Sequence, residues 1–166
     1  MQEIPDTTFH YRIDNNWVDK SVTDLFQGKR VVVFSLPGAF TTICSTKQLP
    51  SFEEAYDEFI SLGIDEVYCI SVNDSFVMNA WFKDQGIKKV KAIPDGNAFF
   101  TGQMNQLVLK NNLGFGFRSW RYAMVVNDTI IEQLWEEPGK IDDAEDDPYT
   151  TTDPQTVLSY LKENDT

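Results

Sequence analysis

The segment 30–36 contains an unbroken apolar run, Val31-Val32-Val33-Phe34, which Pro37-Gly38 brings to an end. A strand that is apolar at every position has to cover both of its faces, so the run predicts a central strand in a sheet. Such a sheet needs one layer of structure above it and another below it. The rest of the chain must therefore supply both layers.

Helical and strand patterns alternate after this run. Further buried strands are predicted at 66–72 and 91–94, with a helix between them that Asn73 or Asp74 caps. A longer helix follows the first strand and ends at Gly63. Its apolar residues fall at helical spacing, namely Leu49, Phe52, Tyr56, Phe59 and Ile60. This alternation implies parallel pairing through right-handed crossovers.

Hairpins are predicted on either side of the alternating part. The first has a strand at 8–13 and a turn at 14–16, and the second joins strands at 122–126 and 130–135 through Asn127-Asp128. Asp153 is expected to cap a final helix. The sequence therefore predicts an α/β fold in a single domain, 1–166, with a central mixed sheet and helices on both faces.

Composition restricts the partners that the chain can have. Lys and Arg number 14 and Asp and Glu number 26, which gives a net charge of −12. An acidic protein repels nucleic-acid phosphates and anionic lipid, so neither nucleic acid nor a membrane is expected as a partner. No signal-peptide pattern and no run of about 18 apolar residues occurs. Two cysteines are too few for a secreted disulfide scaffold, which favours a reducing, cytoplasmic location.

The segment 34–45 carries the residues best suited to chemistry. The buried strand ends at Pro37, and a long helix begins close to Cys44. A cysteine in the first turn of a helix lies beside unpaired backbone N–H groups, which favour the reactive thiolate. Thr41 can both donate and accept a hydrogen bond, so it can hold an oxygen-bearing substrate beside the sulfur. The alternative on this local pattern is a buried packing cysteine with Thr41 as a helix cap.

The spacing Pro37-x-x-x-Thr41-x-x-Cys44 resembles the active-site motif of the peroxiredoxins. The strings LPGAFT at 36–41, CISVND at 69–74, FVMNAW at 76–81 and GFGFRSWRY at 114–122 resemble the type-five branch of that family. The similarity runs over nearly the whole chain. It is greatest to the bacterial subgroup that is often fused to a glutaredoxin domain, although no such domain is recognised here.

The resemblance implies a thioredoxin-like fold and the reduction of hydrogen peroxide and organic hydroperoxides. Cys44 would be the attacking nucleophile, Thr41 would hydrogen-bond the peroxide and the sulfur, and Pro37 would shield the pocket from water. Arg121 would stabilise the thiolate and the transition state. Its chemistry suits that role, because a guanidinium keeps its proton while negative charge develops on the leaving oxygen.

Further positions follow from the same resemblance. Gly38 would line the pocket, and Phe40 would lie near the pocket or at a subunit contact. A homodimer is expected, since relatives commonly pair through the face near the active site. The chain departs from the family at Thr42 and Ile43, where proline followed by threonine or glycine is usual. Loss of the proline removes a fixed φ at the helix start and predicts a looser or more apolar pocket that keeps its activity.

Attack on a peroxide leaves cysteine as a sulfenic acid, which a thiol must reduce. Cys69 is the other cysteine, and its place inside a predicted strand indicates a buried packing residue that cannot easily reach Cys44. We therefore predict a one-cysteine cycle with an external thiol. The resemblance favours glutathione with a separate glutaredoxin as the reductant, with thioredoxin as the alternative. No organic cofactor and no metal is expected.

The remaining polar residues suggest no second catalytic centre. His10 is expected to be structural or exposed, and the acidic run 142–147 to form a solvated loop rather than a calcium site. Arg118 either assists Arg121 or pairs with an acid. A disulfide oxidoreductase would need a second cysteine close to Cys44. A redox sensor that passes its oxidation to another protein shares the same first step and stays open.

Overall fold

A five-stranded mixed sheet forms the centre of the protein in the computed structural model, which describes residues 2–164. The strands are β1 (Thr8–Ile13), β2 (Asn16–Ser21), β3 (Arg30–Ser35), β4 (Glu66–Ser71), β5 (Lys91–Pro94), β6 (Leu107–Lys110), β7 (Gly116–Ser119), β8 (Tyr122–Asn127) and β9 (Ile130–Glu136). The helices are α1 (Val22–Phe26), α2 (Leu49–Ser61), α3 (Ser75–Asp84), α4 (Phe99–Gln103) and α5 (Pro154–Glu163).

The predicted central strand is confirmed. The sheet order is β5-β4-β3-β8-β9, so β3 lies in the middle, parallel to β4 and antiparallel to β8. Val31, Val32, Val33 and Phe34 are fully buried. Alternate residues of β3 enter two separate cores, because successive side chains of a strand point to opposite faces.

Each face of the sheet has its own cover. Helices α2, α3 and α5 pack on one face through side chains such as Phe52, Trp81 and Leu161. The β1–β2 hairpin, α1 and α4 pack on the other through side chains such as Phe9 and Phe100. Helices on both faces were predicted, as was the hairpin itself, whereas its position over the second face was not. The thioredoxin-like α/β fold is thereby confirmed.

The sequence patterns missed one pair of strands. Strands β6 and β7 form a separate two-stranded sheet across a short 3₁₀ turn, Asn111–Leu113. Each is four residues long, which is too short for a clear period-two pattern. The helix faces also differ in detail, since Ile60 is exposed although it was predicted on the apolar face of its helix, and Phe76 of α3 is exposed as well. Met78 is buried in α3 instead.

A buried carboxylate fixes the segment that leads into the last helix. Glu137 follows β9, is 0% exposed and accepts hydrogen bonds from the backbone N–H groups of Thr150, Thr151 and Thr152. The hydroxyls of Thr150 and Thr152 donate to it as well. Burial acts to raise the pKa of Glu137, but these hydrogen bonds outweigh it and lower the pKa. The ionised carboxylate therefore ties residues 150–152 to the end of the sheet.

Replacing Glu137 with Gln is expected to lower the free energy of unfolding by about 2 kcal/mol, because donors that faced a carboxylate oxygen then face an amide. The folded-state pKa of Glu137 is lowered, so its stabilisation is present above the ordinary pKa of glutamate and is lost as pH falls through the folded value. Urea unfolding from neutral to acidic pH measures both effects, and the variant should lack this acid-dependent loss.

The neighbouring Glu136 provides the control. It is partly exposed and bonds Gln106 and Lys140. The substitution Glu136→Gln should cost less than about 1 kcal/mol, as for exposed ion pairs. Equal losses of unfolding free energy for Glu137→Gln and Glu136→Gln would show that the buried hydrogen bonds of Glu137 add no extra stability.

Candidate active site

Cys44 lies in the first turn of the helical segment that follows β3. The loop 36–41 leaves the sheet, helical backbone begins at Thr42, and Cys44–Gln48 forms a π-helical turn that runs directly into α2. The predicted helix start is confirmed, whereas the π turn was not foreseen. The Cys44 side chain is fully buried and its thiol is free.

The departure at Thr42 and Ile43 is accommodated without a proline. Ile43 has ordinary helical angles, φ −67° and ψ −36°. The hydroxyl of Thr46 donates to the carbonyl of Thr42 at 2.7 Å, and Ser45 Oγ accepts from Trp81 Nε1 at 2.9 Å. The first bond lies within the first helical turn, and the second joins this turn to α3. The helix start is thus held by side-chain hydrogen bonds in place of a fixed φ.

The guanidinium of Arg121 lies against the thiol. Its Nη1 is 3.6 Å from Cys44 Sγ and also donates to Oε1 of Gln48. Its Nη2 donates to Asp147 at 2.6 Å, and its Nε donates to the carbonyl of Pro148 at 3.1 Å. Arg121 is only 1% exposed. Each of its three nitrogens therefore has a partner, and one of them points at the sulfur.

The charge of Arg121 is secured by its surroundings. Burial acts to lower the pKa of Arg121, but negative charge on Cys44 and Asp147 outweighs it and raises the pKa. The guanidinium is therefore a permanent cation beside the sulfur. A cation held in a water-poor site stabilises a thiolate far more strongly than it would in water.

Arg118 supplies a second guanidinium near the thiol. Its Nη1 donates to the carbonyl of Pro37 at 3.2 Å, its Nε donates to the carbonyl of Phe115 at 3.4 Å, and it lies over the Phe115 ring. Burial lowers the pKa of Arg118, and negative charge on Cys44 partly offsets this. Of the two predicted alternatives, pairing with an acid is not seen within residues 2–164.

The loop before the helix is shaped by a few specific contacts. Thr41 donates its hydroxyl to the carbonyl of Gly38 at 2.7 Å, which leaves the oxygen lone pairs of that hydroxyl to accept a hydrogen bond. Pro37 is buried, and Phe40 is 54% exposed at a positive φ of 64°. A side chain at Gly38 would overlap the Arg118 guanidinium. Only glycine fits there without moving Arg118.

Cys69 lies inside the sheet, as predicted. It is opposite Phe34 in the register of β3 and β4, is fully buried and is a free thiol. Burial raises the pKa of Cys69 well above its ordinary value, and negative charge on Cys44 raises it further. Cys69 is therefore held as the unreactive thiol form.

Several residues of the site were not found from the sequence. Gln48 could have been, because it lies four residues after Cys44 on the same helical face. Asp147 could not, since nothing in the sequence links it to Arg121 across 26 positions. It was assigned to a solvated acidic loop, and the structure corrects this in part. Asp142 and Asp143 also accept backbone hydrogen bonds from Leu109 and Asn112.

His10 is exposed and bonds Asp19, as the sequence predicted for a residue without a catalytic role. No group of three or more potential metal ligands occurs within the described residues. No helix in 2–164 combines the length and the apolar character needed to cross a bilayer.

Comparison with known proteins agrees with this geometry. The Redoxin family model matches residues 2–150. A peroxiredoxin of Sinorhizobium fredii is 59% identical over 90% of this chain and 80% of its own length. A hybrid peroxiredoxin of Haemophilus influenzae is 44% identical over 96% of this chain and 65% of its own.

The solved structures agree at the level of the fold. The antioxidant protein of Plasmodium falciparum, a 1-Cys peroxiredoxin, superposes with a TM-score of 0.93 at 38% identity, covering 98% of this chain and 99% of that one. A buried cysteine in the first turn of a helix, an arginine directed at its sulfur and a family match over most of the chain agree with one another. The chain belongs to the peroxiredoxins, the thiol peroxidases of the thioredoxin-like fold.

Proposed function

We propose that the protein reduces hydrogen peroxide and organic hydroperoxides to water and alcohols through Cys44, and that an external thiol completes the cycle. The observation that carries this proposal is the 3.6 Å contact between Arg121 Nη1 and Cys44 Sγ in a buried pocket. A permanent cation at this distance favours the thiolate, which is the form that attacks a peroxide.

The chemical step follows from this arrangement. The thiolate attacks one peroxide oxygen, an S–O bond forms and the O–O bond breaks. The other oxygen leaves with the electron pair, takes a proton and departs as water or an alcohol. Arg121 donates to the oxygens as negative charge moves onto them. Cys44 becomes a sulfenic acid, two electrons more oxidised than the thiol.

The loop residues orient the substrate in this proposal. The Thr41 hydroxyl donates its hydrogen bond to Gly38 O, so its oxygen can accept from the peroxide O–H and set the direction of the O–O bond. Buried Pro37 would exclude water, and Gly38 leaves room for the Arg118 guanidinium to bond Pro37 O. Phe40 precedes Thr41 in this loop, and its exposed ring would offer an apolar surface beside the site.

The reductant is proposed to be glutathione, with glutaredoxin acting on the mixed disulfide. One glutathione displaces hydroxide from the sulfenic acid as water, and a second thiol reduces the resulting disulfide. Cys69 is unsuited to this role, because it is a buried thiol within a central strand.

The cytoplasmic location and the homodimer stay predictions. The homodimer is supported by the exposed rings of Phe40 and Phe117.

The serine variants of the two cysteines test the one-cysteine cycle. After one equivalent of peroxide and excess glutathione, intact-mass spectrometry should show one glutathione on wild type and on Cys69→Ser, and none on Cys44→Ser. Peroxide consumption over many cycles should persist in Cys69→Ser with glutathione and glutaredoxin. A Cys44–Cys69 disulfide in wild type would contradict the proposed cycle.

Arg121→Lys tests the guanidinium. Lysine places a point charge in the pocket but cannot keep the fork of contacts to Gln48, Asp147 and Cys44. The second-order rate constant for peroxide should fall about 100-fold, in the range found when one transition-state donor is removed. Arg12→Lys, at a guanidinium stacked on Trp17, is the matched control and should keep the wild-type rate.

Gly38→Ala tests the space reserved for Arg118. The added methyl group displaces the guanidinium and breaks its bond to Pro37 O, so the peroxide rate constant should fall about fivefold. Gly102→Ala in α4 is the control, because its new methyl group has no heavy atom closer than 3.9 Å. That variant should keep the wild-type rate and be slightly stabilised. Equal rates for both variants would remove Arg118 from the mechanism.

A further inference from the structure

Arg121 is held by a segment far from it in sequence, which we call the strap, residues 147–152. We propose that the strap orients the Arg121 guanidinium toward Cys44 and that Asp147 is the positioning residue within it. This inference rests on the proposed function of Arg121. It gives Asp147, which the sequence pattern assigned to a solvated acidic loop, a part in the peroxidase reaction.

Successive residues of the strap surround the guanidinium. Asp147 accepts from Nη2 at 2.6 Å, and the carbonyl of Pro148 accepts from Nε at 3.1 Å. The ring of Tyr149 lies 5.6 Å from the guanidinium carbon. The strap thus occupies the side of the guanidinium opposite to Nη1.

Because the guanidinium is planar, these contacts fix its orientation. Its nitrogens form a rigid fork, so fixing Nε and Nη2 also fixes the direction of Nη1. Nη1 is the nitrogen that reaches Cys44 Sγ at 3.6 Å. Asp147 therefore determines where the donor to the sulfur points, although it does not touch the sulfur itself.

The strap is anchored both to the end of the sheet and to helix α2. The carboxylate of Glu137 ties down Thr150, Thr151 and Thr152, so the strap cannot drift away from the sheet. The hydroxyl of Tyr149 is 3.1 Å from Ser51 Oγ, and Ser51 lies in the helix that continues from Cys44. The strap therefore joins the element that carries the arginine to the element that carries the thiol.

A positioning role and an electrostatic role of Asp147 have opposite consequences. A negative charge beside Arg121 weakens the positive potential at the sulfur, so its removal alone would favour the thiolate. Loss of orientation would instead slow the attack on peroxide, which requires an aligned donor. Alkylation of the thiolate by iodoacetamide needs no such alignment. The two reactions can therefore separate the two roles.

The test uses the full chain with Asp147→Ala, Asp147→Asn and the control Asp146→Ala. Asp146 is exposed in the same loop and forms no ion pair within the described residues. We expect Asp147→Ala to lower the peroxide rate constant about tenfold, measured on the plateau where the rate no longer changes with pH. Its rate of alkylation should stay equal to or above that of wild type. Asp147→Asn keeps an oxygen acceptor and should recover part of the loss, and Asp146→Ala should match wild type.

The outcomes separate the inference from the function on which it rests. A normal peroxide rate in Asp147→Ala, or an equal fall in its rates of peroxide reaction and alkylation, would contradict the proposed role of the strap. Urea unfolding should show that Asp147→Ala loses some stability, because Nη2 of the buried guanidinium loses its partner, yet stays folded under the assay conditions. Asp147→Asn keeps an acceptor and should unfold close to wild type, so a peroxide rate in Asp147→Asn as low as in Asp147→Ala would contradict the positioning role. If wild-type Cys44 gave no sulfenic acid that dimedone traps, or if Arg121→Lys reacted normally, the proposed function itself would fail.

Discussion

A cation buried beside a thiol is the constraint on which the rest of the structure depends. A guanidinium removed from water must find partners for its N–H groups, because an unpaired buried charge is strongly destabilising. Arg121 meets this demand with Gln48, Asp147, Pro148 and the sulfur of Cys44. These partners come from two segments, the helical turn Cys44–Gln48 and the loop at 147–148, which the fold has to bring together around the arginine.

The sheet topology makes this meeting possible. Arg121 directly precedes β8, and β8 is antiparallel to β3, with Tyr122 opposite Ser35. The start of β8 therefore lies next to the end of β3, where the chain turns into the loop that carries Thr41 and Cys44. Gln48 strengthens the junction, since its amide donates to Ser35 O at 3.3 Å while its carbonyl accepts from Arg121. An open sheet with this switch of direction commonly places its site at such a crevice.

The residues proposed to do the chemistry and the residues that hold them differ in character. Cys44 and Thr41 belong to one short motif and Arg121 to another string that resembles the family, and their intrinsic chemistry suits the proposed roles. Glu137 and Asp147 act by contact alone, through hydrogen bonds formed only in the folded state. Two carboxylates in an acidic protein thus hold distant segments together: Glu137 is buried among threonine donors, and Asp147, whose side chain is 41% exposed, pairs with the buried arginine. The net charge of −12 gave no hint of either.

The amino-acid sequence by itself determined the central strand, the strand and helix order, and the position of Cys44 at a helix start, because these depend on local periodicity and on turn residues. The family resemblance also predicted roles for Thr41 and Arg121, which stay predictions. Only the tertiary structure decided that Asp147 and Pro148 close around Arg121, that Gly38 makes room for Arg118, and that β6 and β7 pair. These contacts join residues far apart in the chain, and their free energy exists only once the sheet has brought them together, so no local pattern records them.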